Sequence, residues 1–238
     1  MANLINRQDL DFVLYDVLMA DTLTQRNRFR EHTKETFDAA IDTSIKLAEK
    51  YFEPHNAKAD GLEPQFDGQS VSMIPDVKVA IDHYAEAGLL AAGYDFEAGG
   101  MQLPSTISSA CQAIFVAANP STAAYPFLTT AAANVISHFG TDEQKKTFLE
   151  SMLNGRFSGT MALTEPDVGS SLGDLTTKAA RQADGSYRIK GQKMYISGGD
   201  QDITENIVHL VLARVEGGPA GVKGISLFIT PKYLVNEG

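Results

Sequence analysis

The feature that most constrains this chain is a change of hydrophobic period near residue 155. Upstream, apolar residues recur at helical spacing, the stripe of an amphipathic helix. Downstream they alternate, as on the pleat of a half-buried strand. A helix-period pattern does not settle as a strand, so the two halves build separate layers. Helices first and strands second predict an α+β fold with two segregated domains.

In the first half, residues 9–20 place Phe12, Tyr15, Val17 and Leu18 at helix-like spacings among Asp9, Asp11 and Asp16. A longer helix is predicted over 33–52, capped by Thr33, with Glu35 and Asp38 at its positive end. Its apolar stripe is Phe37, Ala40, Ile41, Ile45, Leu47 and Ala48, and Pro54 is expected to stop it. Residues 54–73, rich in Pro, Gly and Asp, are expected to be loop. Further helices are predicted over 75–90, 104–119, 121–139 and 141–154, punctuated by Gly99-Gly100, Asn119-Pro120, Gly140 and Gly155. In the second half, strands are predicted at 157–163, around Leu175, Thr177 and Ala179, and at 187–189, 193–197, 207–215 and 225–229. Asp184-Gly185 marks a hairpin turn.

Composition excludes several functions. The chain has 238 residues, 43% apolar and 21% charged, as in an ordinary globular protein. A net charge of −10 disfavours nucleic-acid binding, which needs clustered Lys and Arg to neutralise phosphates. It leaves room for a phosphate-bearing cofactor, because backbone N–H groups can hold one locally. Cys111 is the only cysteine, so no intramolecular disulfide forms and a reducing compartment fits. Its Ala/Ile/Val-rich setting predicts a packing residue rather than a nucleophile. The N-terminal residues show neither a signal nor a transit pattern. No uncharged apolar run reaches the ~20 residues of a membrane span, so a soluble, cytoplasmic protein is expected.

No metal site is expected. Asp200-x-Asp202-x-Thr204 has the look of a calcium loop, but Glu205 stands where that loop needs Gly. His32, His55, His83 and His138 lie apart from one another, and His209 sits within an apolar strand as a packed residue. The glycines of 217–221 precede a strand, which argues against a dinucleotide fingerprint.

Two runs carry chemistry. Met161-Ala-Leu-Thr-Glu-Pro-Asp-Val-Gly-Ser-Ser171 is a strand leading into an irregular loop, with hydroxyls at Thr164, Ser170 and Ser171. Physics alone leaves a ligand loop and a plain polar connection equally open. Gly191-Gln-Lys-Met-Tyr-Ile-Ser-Gly-Gly199 reads as a second strand, with alternation placing Tyr195 and Ser197 on one face. An aromatic beside a hydroxyl can pack on a ring and bond its edge; an ordinary two-faced strand has the same pattern.

Together, residues 162–170 and 191–197 resemble the paired motifs of the acyl-CoA dehydrogenase family, Thr-Glu-Pro-x-x-Gly-Ser and Gly-x-Lys-x-(aromatic)-Ile-(Thr/Ser). Residues 94–104 resemble its Gly-Gly-x-x-Leu-Pro segment, and 139–145 its Gly-Thr-x-x-Gln-Lys helix start. The resemblance spans roughly 35–235. The leader and residues 197–210 resemble the large-subunit subgroup with an N-terminal extension, which includes bacterial methylmercaptopropionyl-CoA dehydrogenases.

The resemblance implies an N-terminal helical extension (1–35), an all-α N-terminal domain (36–155) and a barrel-like β middle domain (156–238), which ends early. The C-terminal helical domain, with the family's catalytic glutamate, is expected to be absent, and the chain to be a fragment. No catalytic residue is therefore assigned, and Glu165 is expected to shape its loop. FAD is the implied cofactor. Met161 and Leu163 would contact the isoalloxazine, Thr164 its polar edge, and Gly169 and Ser170 the pyrophosphate, with Ser170 also near the acyl-CoA. Tyr195 would pack on the flavin, Ile196 add a backbone contact and Ser197 reach toward N5. Met161 stands where the family often has an aromatic, and Ser171 where it often has an acid; both blur substrate detail. The implied reaction is α,β-dehydrogenation of an acyl-CoA in fatty acid metabolism. Electron-transfer flavoprotein is the implied type of acceptor, and the full-length protein would be a homodimer or tetramer. An acyl-CoA oxidase and a non-catalytic interaction module are the competing possibilities.

Overall fold

A computed structural model describes residues 4–235. Residues 236–238, on which the expected early end of the β domain partly rests, lie outside the described residues.

Helix α1 (Lys34–Leu47) begins at Thr33 with a reciprocal cap: Thr36 N donates to Thr33 Oγ1, and Thr33 N donates to Thr36 Oγ1. Such a cap satisfies two otherwise orphaned N–H groups. The helix buries Phe37, Ile41 and Ser44. Pro54 does not stop the chain's helical course. A π turn (Ala48–Phe52) is followed by a 3-10 turn (Glu53–His55) and a short helix (Asn56–Gly61). Pro54 falls at the start of a new turn, where its missing N–H would be unpaired anyway. The stretch 54–73 therefore holds a helix and a small hairpin, Gln65–Phe66 with Val71–Ser72, instead of loop alone.

The leading helix also departs from expectation. Arg7–Asp11 is α, but Phe12–Val17 is a π turn, and the buried residue is Leu14 while Phe12, Val17 and Leu18 are exposed. The wider turn rotates the buried face away from the α spacing. The segment is pinned to α1 through Asp38, which accepts from Arg7 Nη2 at 2.8 Å and Tyr15 Oη at 2.7 Å.

Helices α2 (Pro75–Glu86), α3 (Ser105–Ala118), α4 (Pro120–Phe139) and an interrupted α5 over 142–153 complete the bundle. Phe115 is its centre, meeting Phe52 and Tyr84 edge-on, each with ring centroids 4.8 Å apart. Asn119 caps α4 by accepting from Thr122 N and ties it to the first half by donating to Phe52 O.

The second half is a curled mixed sheet of β1 (Phe157–Ala162), β2 (Lys178–Arg181), β3 (Tyr187–Lys190), β4 (Asn206–Val215) and β5 (Ile225–Pro231). Along one edge β4 pairs in parallel first with β1 and then, at its last residues, with β2; β5 runs antiparallel along its other edge. β3 is antiparallel to β2. Tyr187 of β3 meets Phe228 of β5, with centroids 5.1 Å apart, so the sheet curls toward a half-barrel. This is the α+β arrangement expected from the change of period.

The predicted strand at 193–197 is absent: these residues are irregular, and Tyr195 is left-handed at φ 58°. The cause is local. Lys193 turns inward to a buried carboxylate, and Met194 N pairs with a loop carbonyl instead of a strand neighbour. The alternation that put Tyr195 and Ser197 on one pleated face therefore does not apply.

Candidate functional site

β1 docks on α4 through Gly159. A Cβ there would lie 2.6 Å from Ala132 Cβ and 3.2 Å from Thr129 Cα, so only glycine permits this approach. Thr129 Oγ1 accepts from Gly159 N at 3.1 Å. The helical half thus fixes the strand whose end begins the first ligand run. On the neighbouring strand, His209 Nδ1 and Thr160 Oγ1 share a 2.6 Å hydrogen bond, and burial pushes the imidazole pKa down. His209 is a packed residue, and no group of three or more His, Cys, Asp or Glu could hold a metal ion among the described residues.

After Ala162 the chain leaves the sheet. Glu165 and Val168 close a tight turn by exchanging backbone hydrogen bonds of 2.8 and 3.1 Å. The Glu165 side chain turns inward and is almost wholly buried. Its Oε2 accepts from Thr176 N and Oγ1, each at 2.7 Å. Its Oε1 accepts from Thr177 N at 3.0 Å and Lys193 Nζ at 2.9 Å. Burial works to raise this carboxyl's pKa. The donors of Thr177, Thr176 and Lys193 outweigh it and hold the group far below the usual carboxylate range. An ionised, fully bonded carboxylate pointing into the fold ties its loop to the stretches around Thr176 and Lys193.

Lys193 also donates to Leu163 O at 2.9 Å, and Met194 N donates to Thr164 O at 3.0 Å. The two runs singled out in the sequence therefore meet, Leu163 and Thr164 of one against Lys193 and Met194 of the other. Tyr195, Ile196 and Ser197 follow directly. Tyr195 is 84% exposed, and Ser197 is also exposed. Gly198, at φ 63°, carries the turn past Tyr125 and Leu128 of α4, within 4 Å of where its Cβ would be. Met161 is part-exposed on β1. Gly169 and Ser170 lie exposed beyond the Glu165 turn. No hydrogen bond ties Gly169 or Ser170 to 195–197 among the described residues.

The residues present fit a flat, phosphate-bearing group. A Cβ on Gly169 would meet nothing within 4 Å, and the residue has no positive φ. Neither backbone nor packing demands glycine there, and without a side chain its backbone lies open to the outside. The exposed ring of Tyr195, in a left-handed backbone conformation uncommon for an aromatic, is open to a flat group.

The sequence missed the gathering residues: Thr176, Thr177, Lys193 and Gly191, whose Cβ would lie 2.2 Å from Thr177 Oγ1. One signal was present. Lys193 is the only cation of its run, and Glu165 stands in the other.

The chain belongs to the acyl-CoA dehydrogenase family: the model of the family's N-terminal domain matches residues 34–156, and that of its middle domain residues 160–236. Among curated relatives, it is 38% identical over 200 residues to a 3-methylmercaptopropionyl-CoA dehydrogenase of Ruegeria pomeroyi, covering 84% of this chain and 34% of that one. It is 38% identical over 232 residues to the broad-specificity linear acyl-CoA dehydrogenase FadE5 of Mycobacterium tuberculosis, covering 96% and 38%. Among solved structures, an acyl-CoA dehydrogenase from Bacillus anthracis complexed with FAD superposes with a TM-score of 0.66 at 25% identity, over 85% of this chain and 31% of that one. The chain thus spans little more than a third of the length of these curated relatives. No helix among the described residues is long and apolar enough to cross a membrane.

Proposed function

We propose that this chain is the flavin-binding part of an FAD-dependent acyl-CoA dehydrogenase, with 36–155 as its helical N-terminal domain and 156–238 as its β middle domain. The observation that carries this is the meeting of the two ligand runs, with Thr164 and Met194 hydrogen-bonded and Tyr195 and Ser197 left open beside them. The thioester would lose a proton from Cα and a hydride from Cβ, leaving the enoyl-CoA. FAD, when bound, supplies the hydride acceptor.

This chain's residues bind and orient. Tyr195 offers its ring as a stacking surface for the flavin, with Met161, Leu163 and Ile196 as apolar and backbone contacts. Thr164 and Ser197 present hydroxyls to the ring's polar edge. Gly169 and Ser170 present backbone and hydroxyl to the pyrophosphate, and Ser170 also to the acyl-CoA. The general base would come from residues outside this chain, as the family resemblance implies, and Glu165 is fully engaged in its loop. Electron-transfer flavoprotein as acceptor, a homo-oligomeric whole protein and a cytoplasmic setting belong to the same proposal.

The test is visible absorbance after FAD loading and desalting, on this chain and on a longer version that includes the base. Flavin retention, with anaerobic bleaching of the longer protein by an acyl-CoA, is the expected result. A colourless longer protein overturns the proposal in favour of a non-catalytic module.

A further inference from the structure

The 191–198 run has little to hold it. It is outside the sheet, so no strand ladder fixes it. Its hydrogen bonds to other segments, among the described residues, are Met194 N to Thr164 O and the two made by the Lys193 ammonium. A single backbone bond at the surface opens easily. The ammonium is different. Its side chain is 11% exposed and meets a carboxylate 2% exposed. That carboxylate is itself fixed by three donors from Thr176 and Thr177. The second bond of Lys193 goes to the carbonyl of Leu163, inside the other ligand run. Three separate stretches, 163–165, 176–177 and 191–194, thus converge on one carboxylate. Gly191 permits this by passing so close to Thr177 that a Cβ would collide with its side chain.

We infer that Lys193 is a positioning residue: its ammonium, anchored on Glu165, clamps the 194–197 run to the end of β1 and thereby sets where Tyr195 and Ser197 stand. Its consequence for flavin rests on the function proposed above; the clamp itself does not. The left-handed backbone of Tyr195 agrees with this role. An aromatic residue held at φ 58° with its side chain in solvent is kept there by its neighbours in sequence, and the nearest fixed neighbour is Lys193. Lys193 touches neither substrate nor cofactor in this scheme, and acts through the residues that follow it.

Lys193→Met alone strands a buried carboxylate and risks unfolding the chain. The deciding variant is therefore Glu165→Gln/Lys193→Met, which removes both charges and keeps one side-chain oxygen to accept from Thr176 or from Thr177, the amide nitrogen being a donor only. Three readouts on the 238-residue chain separate positioning from plain stability. The first is thermal melting, expected to show a lowered but still single cooperative transition for the double variant, so that the chain stays folded at the temperature of the other two readouts. The second is amide hydrogen exchange in peptides covering 191–198, expected to accelerate at least about tenfold. The third is FAD titration with visible circular dichroism of the bound flavin. Affinity is expected to weaken about tenfold or more and the flavin's dichroic signature to fade. Lys193→Arg, which keeps the charge and the reach, is expected to restore slow exchange. Wild-type exchange over 191–198 in the double variant overturns the clamp. If the wild-type chain takes up no FAD while its exchange still responds to the substitutions, the clamp stands and the flavin assignment of this chain falls.

Discussion

Gly159→Ala probes the contact on which the whole site is mounted. The added methyl would stand 2.6 Å from Ala132 Cβ, 2.8 Å from Met152 Cε and 3.2 Å from Thr129 Cα. The end of Met152 can swing aside. Ala132 Cβ and Thr129 Cα are rigid parts of α4, so strand and helix must separate by several tenths of an ångström. Overpacking of this kind costs about 1–3 kcal/mol. Alanine's smaller unfolded-state entropy returns about 0.4–1 kcal/mol. With both ranges near their middles the net loss is about 1–2 kcal/mol, and at this chain length each kcal/mol lowers Tm by about 2–4 °C. Calorimetry should therefore find Tm lower by about 2–8 °C. Adding Ala132→Gly removes the nearest collision, although glycine in a helix itself costs about 1 kcal/mol. The double variant should consequently be more stable than the sum of the two single losses by about 1 kcal/mol. An unchanged or raised Tm in Gly159→Ala, or strict additivity in the pair, would refute the close approach. The Tm loss should be accompanied by weaker FAD binding, because displacing β1 from α4 moves Leu163 and Thr164.

Thr33→Ala removes the side-chain half of the α1 cap and should cost about 1 kcal/mol in urea unfolding. The carboxyl of Glu165 predicts an acid limb. Its folded pKa is depressed, so its stabilising contribution is complete above the ordinary unfolded value of about 4.3 and is lost as pH falls toward the folded value. Melts from pH 6 to pH 2 should accordingly fall less steeply below about pH 4 in Glu165→Gln/Lys193→Met than in the wild type. Parallel acid limbs would show that this carboxylate is not held as described.

Much of the architecture was legible because it follows from period and punctuation. The switch at 155 separated helices from strands, Thr33 and Gly140 bounded their helices, and the apolar run at 207–215 is the central strand β4. Expectation failed where a local rule had two outcomes. Pro54 can end a helix or begin one, and only the π turn before it, which no periodicity announces, makes it begin one. The same kind of turn at Phe12–Val17 moved the buried position to Leu14.

The site was legible as motifs but not as geometry, and residues 193–197 show why. Met194 and Ile196 alternate with Tyr195 and Ser197 as a strand would, and alternation is all that a period-two test can detect. What decides the conformation is Lys193, whose partner Glu165 lies 28 residues away and is brought near only by the β2 and β3 excursion between them. The proposed ligand-contacting residues were read one by one, from motif and side-chain chemistry. The residues that hold them in place were not, because a buried lysine and a buried glutamate look in sequence like any other surface charges. Their roles exist only once the three stretches converge. In the proposed function the placement of Tyr195 depends on that convergence more than on any strand, because its exposed ring has no sheet behind it. If the carboxylate and ammonium were lost together, the sheet would survive and the open surface beside Thr164 would lose its shape.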